Sequence, residues 1–159
     1  MASDIDIPPA GEYYNTPMSE IIRLIDGEGG RATARLIRDI FLEELANPLL
    51  SPLNDSAVKQ LMEGNYAFTT DGFVVEPIEF PGGNIGKLSV CGTVNDLAAA
   101  GAVPEMLSAS FILEEGLEIE ALRRSVRSMA EAAEEAGGPV AGGDTKVVPR
   151  GKGGRIFIS

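Results

Sequence analysis

Three short acid-bearing motifs hold the chemistry open to this chain: Thr69-Thr70-Asp71-Gly72, Thr93-Val94-Asn95-Asp96 and Gly142-Gly143-Asp144-Thr145-Lys146. Each sets an aspartate beside small or flexible residues at the edge of an expected regular element. Glycine lets a backbone approach a ligand closely and leaves its N–H unobstructed. An aspartate beside it suits a hard cation. Clustered carboxylates could not face a bare polyphosphate, because two like unit charges about 4 Å apart cost about 4 kcal/mol at an effective dielectric of ~20. Magnesium reverses that sign, taking one or two carboxylates together with waters and phosphate oxygens. Lys146 would then neutralise a phosphate as a compact point charge. The set reads as a magnesium–nucleotide site. Singly, each motif has a plainer reading: Asp-Gly as a turn, Asn-Asp as a solvated pair on a helix, Gly-Gly-Asp as a loop.

Bulk properties narrow the field. The 159 residues fit one ordinary domain with a real core. Net charge of −11 repels nucleic-acid backbones and anionic lipid, so neither is an expected partner. The sequence contains no histidine, which excludes Ser-His-Asp and Cys-His catalysis within the chain and His-based zinc sites. Its single cysteine, Cys91, fits a reducing compartment. No apolar run approaches a membrane span, and the N-terminus lacks a signal-peptide layout, so a cytoplasmic address is expected.

The elements that must position these motifs follow from pattern. Residues 1–19 carry three prolines and no sustained period, and read as a flexible leader. Leu36, Ile37, Ile40, Phe41 and Leu45 recur at helical spacing until Asn47-Pro48 ends the run. Tyr66 to Phe80 reads as a strand broken at Asp71-Gly72, and "PGGNIGK" as a tight loop. A helix is expected over Lys87–Ala100, with Leu88, Cys91, Leu97 and Ala98 on its buried side and Cys91 as a structural thiol. Leu107, Ala109, Phe111 and Leu113 share one strand face, and Leu122, Val126, Met129 and Ala133 form one helical stripe that Gly137 ends. "PVAGGDTKVV" is strand-like around a Gly-Gly-Asp turn, and "RIFIS" begins a further strand. The order β-α-β-α-β predicts an α/β chain of α+β type: a mostly antiparallel sheet with helices on one face.

The order of motifs is more specific than any one of them. "FPGGNIGKL", "CGT-ND-A--GA-P--LS--FILEEG" and "GDTKVV-RG", spread between about Ile21 and Ile158, closely resemble the hydrogenase maturation factor HypE family. The wider superfamily includes aminoimidazole ribonucleotide synthetase and selenophosphate synthetase. It shares only the acid-Gly, Asn-Asp and Gly-Asp-Thr skeleton. The resemblance implies a PurM N-terminal-like ATP-binding domain over 20–159, ending before the family's second domain and its C-terminal cysteine. It implies ATP-dependent dehydration of a thiocarboxamide on that cysteine to a thiocyanate, the source of cyanide ligands for [NiFe]-hydrogenase. ATP and magnesium would be the cofactors.

On matching positions, Asp71, Asp96 and Asp144 would hold magnesium, and Asn95 would orient that cluster. Lys146 and Asp96 would be the catalytic pair, Lys146 stabilising phosphoryl charge or assisting proton removal. Gly72, Gly82, Gly83, Asn84, Gly143 and Thr145 would lie along the nucleotide. The implied partners are a second copy of the chain, the carbamoyltransferase HypF and the HypC–HypD complex. One departure stands out: Asp26-Gly27-Glu28-Gly29-Gly30 occupies the place of the family's usual His-Gly-x-Gly-Gly. Two other readings accompany this one: a non-catalytic, dimer-forming interaction module of the same fold, and another PurM-like ATP-dependent synthetase.

Overall fold

Strict alternation builds the central strand. In the computed structural model, β3 (Leu107–Glu114) buries Ala109, Phe111 and Leu113 on one face and exposes Ser108, Ser110 and Ile112 on the other. The structure describes residues 18–54, 56–152 and 155–159. The expected leader therefore lies outside the described residues except for Met18, which packs against the core, and Ser19.

Strand β4 (Val140–Val148) runs parallel to β3, with Ala109 opposite Gly143 and Ser110 opposite Asp144. A parallel pair needs a long crossover, and helix α4 (Ile119–Ala136) supplies it. Its buried stripe contains Leu122, Ser125, Val126, Met129 and Ala133, as its spacing predicts. The helix stops at Gly137, whose left-handed φ of 80° no β-carbon opposes. On the other edge of β3, β5 (Ile156–Ile158) pairs antiparallel, giving the order β4-β3-β5. A further antiparallel bridge joins Phe73 to Ile158.

Ahead of this unit, a 3-10 turn (Leu24–Gly27) leads into α1 (Gly30–Leu36). The helix continues as a π-wound stretch (Ile37–Leu42) and a last turn, α2 (Glu43–Leu45). Asn47 closes it by donating to the carbonyls of Leu45 at 2.9 Å and Val140 at 2.8 Å. Ile40 and Phe41 reach the inner sheet face, where the Phe41 and Phe111 rings meet edge to face at 4.8 Å. A small hairpin, β1 (Glu79–Phe80) with β2 (Gly83–Asn84), opens helix α3 (Ile85–Ala99). Asn84 caps α3, its side-chain oxygen accepting from the amides of Gly86 at 3.0 Å and Lys87 at 3.2 Å. Helix α3 then crosses α4 at Gly86, where a β-carbon would collide with the Ser125 carbonyl oxygen. Among the described residues no helix is long and apolar enough to cross a membrane.

The α+β class stands, with four differences in detail. First, the main sheet is mixed: its longest ladder, β3 with β4, is parallel, while β3 with β5 and β1 with β2 are antiparallel. Secondly, Gly142-Gly143-Asp144 is no turn but the middle of β4, because the glycines lie against β3 instead of reversing the chain. Thirdly, 66–72 carries no strand pairing, and only Phe73 joins the sheet there. Fourthly, α3 buries Ile85, Gly86, Ser89 and Val90, whereas Cys91 and Ala98 are exposed and Leu88 and Leu97 are half-buried. A helix apolar on both sides gives periodicity no means of choosing its inner face. The Gly86 crossing makes the choice.

That crossing is testable against an internal control. Gly86→Ala should lower unfolding free energy by about 1–3 kcal/mol in urea titrations, as overpacking does. Gly142→Ala, where an added β-carbon meets nothing within 4 Å, should leave it nearly unchanged.

Candidate functional site

Helix α3 carries Asp96 in phase with its buried stripe. Ile85, Ser89, Gly92 and Asp96 are spaced 4, 3 and 4 residues apart and therefore share a face. Asp96 stands where that stripe leaves the core, and it is exposed. Beside it lies a hollow of about 380 Å³, walled by 67–71 on one side and by the first half of β3 with the middle of β4 on the other. Asp71 and Asp144 both line it, together with Thr93 and Leu97 of α3. Thr69 links Asp96 to this wall, donating from Oγ1 to Asp96 Oδ2 at a long 3.4 Å.

Three elements thus bring the three aspartates to one region without closing them on a point. Among the described residues no group of three His, Cys, Asp or Glu side chains stands close enough to hold a metal ion. Like-charge repulsion gives the reason, since uncompensated carboxylates hold apart. Asp144 has taken a cation of its own, with Lys146 Nζ 2.9 Å from Oδ1 and 2.8 Å from Oδ2. The hydrogen bond from Lys146, aided by the Thr145 amide at 2.8 Å, holds the Asp144 carboxyl below its ordinary range. Asp71 accepts from the Gly72 amide at 2.8 Å through Oδ1. Gly143 is required sterically, because a β-carbon there would strike the Ala109 carbonyl oxygen.

The remaining expected residues divide. Gly72, Gly143, Asp144, Thr145 and Lys146 sit at or beside the hollow, and Asn95 is exposed next to Asp96. Gly82, Gly83 and Asn84 are not brought there. They lie at the opposite end of α3 from Asp96, about 18 Å away at 1.5 Å per residue. Asn84 is committed to capping α3 and to donating to Ser128 Oγ at 2.9 Å. Asp26 is also structural: its buried carboxylate accepts from the Arg23 amide at 2.8 Å and pairs with that guanidinium at 3.5 Å. Gly27 admits no β-carbon against Val147, 2.6 Å away.

Sequence reasoning missed the hydroxyl lining of the hollow, Ser108 and Ser110 from the outer face of β3 with Thr70 and Thr93. The alternation that places Phe111 inside already places these serines outside. As a donor set, two carboxylates among hydroxyls fit a hard, oxygen-seeking cation.

The family described as "AIR synthase related protein, N-terminal domain" matches residues 53–159. The chain belongs to this family. The chain is 51% identical over 143 residues to the carbamoyl dehydratase HypE of Escherichia coli (strain K12), covering 87% of this chain and 43% of that protein. It superposes on a crystal structure of the hydrogenase maturation protein HypE in complex with ATP with a TM-score of 0.82 and 54% identity, covering 85% of this chain and 40% of that one. A HypE–HypF complex matches with a TM-score of 0.58 and 51% identity over 77% of this chain and 39% of that one. The chain thus spans about two fifths of the length of the relatives it matches.

The Asp144–Lys146 pair sets a pH prediction. Because the folded-state value is depressed, the pair's contribution is complete above the ordinary carboxylate pKa and is lost as pH falls through the lowered one. Both side chains are more than 60% exposed, so carboxyl chemical shift reads the pair better than stability does. In a ¹³C titration, Lys146→Met should move the Asp144 midpoint up toward the ordinary carboxylate range.

Proposed function

We propose that this domain is the magnesium–nucleotide-binding part of a HypE-type carbamoyl dehydratase. The observation that carries the reading is the meeting of Asp71 and Asp144, from a loop and from β4, on one hydroxyl-edged hollow with Lys146 beside them. Its likeness to a HypE that holds ATP supports the same reading. The reaction is dehydration of a cysteine-borne thiocarboxamide by ATP: the carboxamide oxygen takes the γ-phosphoryl group and leaves as phosphate. Two protons depart from nitrogen and a thiocyanate remains.

Magnesium, when bound, supplies the positive charge that lets phosphate oxygens approach carboxylates. Asp71, Asp96 and Asp144 hold it, and Asn95 steadies the α3 end of the site. Lys146, freed from Asp144, neutralises charge growing on the phosphoryl oxygens. Gly72 and Gly143 let the backbone approach the nucleotide closely, and Thr145 lies along it beside Asp144. The Gly82-Gly83-Asn84 loop takes no part within one copy. The thiocarboxamide-bearing cysteine belongs to the second domain expected after 20–159, and the setting is cytoplasmic.

The partner chains belong to the same reading. HypF would deliver the carboxamide, in keeping with the likeness to a HypE–HypF complex, and the HypC–HypD complex would accept the cyanide. A second copy would cover the outer sheet face, where Val74, Ile112 and Phe157 are exposed around Ser110.

Calorimetric titration with ATP should show binding that requires magnesium and weakens about tenfold or more in Asp71→Asn, Asp96→Asn and Asp144→Asn. Tight binding indifferent to both magnesium and these changes would remove the assignment. In sedimentation equilibrium, the chain should be a dimer that Phe157→Asp converts to monomer. A wild-type monomer at tens of micromolar would remove the pairing.

A further inference from the structure

The hollow's two flanking carboxylates, Asp71 and Asp96, sit on separate segments, and something must set their spacing. A packed contact joins those segments near both residues. Phe73, two residues after Asp71, lays its ring against Gly92, one helical turn before Asp96. A β-carbon at Gly92 would come within 2.5 Å of Phe73 Cε1 and 2.6 Å of Cζ, so the ring occupies the space that a side chain would fill. Gly92 and Asp96 are four residues apart on one face of α3, so the ring's seat and the carboxylate project on the same side. Phe73 is fixed from behind as well: its amide donates to the Ile158 carbonyl at 2.7 Å, and its carbonyl accepts from the Ile158 amide at 3.2 Å. On the other side of Asp71, Thr69 touches Asp96 itself. Asp71 is thus bracketed by two contacts to α3, one a weak hydrogen bond and the other a packed ring.

We propose that Phe73, seated in the notch left by Gly92, is a positioning residue that sets the separation of Asp71 and Asp96 and thereby the affinity for a divalent cation. The proposal rests on the magnesium–nucleotide reading and assigns these two residues no contact with nucleotide. A methyl group at Gly92 would overlap the Phe73 ring, so the ring must be pushed off α3. Lifting the ring moves the Asp71 segment away from Asp96. A shorter side chain at position 73 accommodates the methyl group and allows the segment back.

The test measures the magnesium concentration giving half-maximal ATP binding by the full chain in calorimetry, with binding at saturating magnesium and thermal unfolding as parallel readouts. Gly92→Ala should raise that concentration about tenfold, the usual consequence of disturbing the support of a metal ligand, while saturating magnesium restores binding. Adding Phe73→Leu to Gly92→Ala should bring it back toward the wild-type value. If Gly92→Ala does not fold, Phe73→Leu alone decides, and it should raise the magnesium requirement with normal unfolding. A wild type that needs magnesium while a folded Gly92→Ala, or failing that Phe73→Leu, keeps the same half-point overturns the proposal and leaves the reading of the site standing. A wild type indifferent to magnesium overturns both.

Discussion

The bare α-carbon of Gly143 against the Ala109 carbonyl oxygen is the contact on which the site's geometry depends. Parallel strands gain their pairing only when a crossover returns the chain, and α4 does so with its whole apolar stripe buried. Once β4 lies against β3 at this point, Ser110 faces Asp144 across the ladder, and Lys146 follows two residues later on the same outer face. Helix packing at the back and polar chemistry at the front thus share one strand pair.

Charge explains why the front is loosely gathered. A chain of net charge −11 that collects aspartates around one hollow needs a cation there. Lys146 serves Asp144, while among the described residues Asp71 and Asp96 have only neutral donors in the Gly72 amide and the Thr69 hydroxyl. Such an arrangement holds its ligands near the point of use without forcing them into contact, and packing then limits how far they can drift.

What the sequence revealed and what it hid divide along physical lines. Local periodicity sufficed for β3, α4 and the existence of α3, because each buries one face at a fixed period. It failed for Tyr66 to Gly72, whose β-branched and aromatic residues promised a strand, because a strand exists only where another segment pairs with it. It failed again at Gly142-Gly143-Asp144, where glycine meant close approach between strands and not reversal. Periodicity alone puts Cys91 in the core, because α3 is apolar on two sides, whereas the fold leaves it exposed. Of the site residues, Asp71, Asp144 and Lys146 were legible as acid and base beside glycine. The Ser108 and Ser110 lining was implicit in alternation, and the structural commitment of Asn84 and Asp26 was not visible until their hydrogen-bond partners were known.

Gly27 gives β4 a second fixed point. Its α-carbon is pressed on Val147 from outside the ladder, just as Gly143 is pressed on β3 from within. Slippage by two residues is the one displacement a half-buried strand tolerates in principle, since every side chain keeps its face. It would carry Asp144 about 7 Å along the sheet and off the hollow. With a notch at each of two places, β4 behaves like a bolt keyed into its slot, and that silent error of alignment is closed to it.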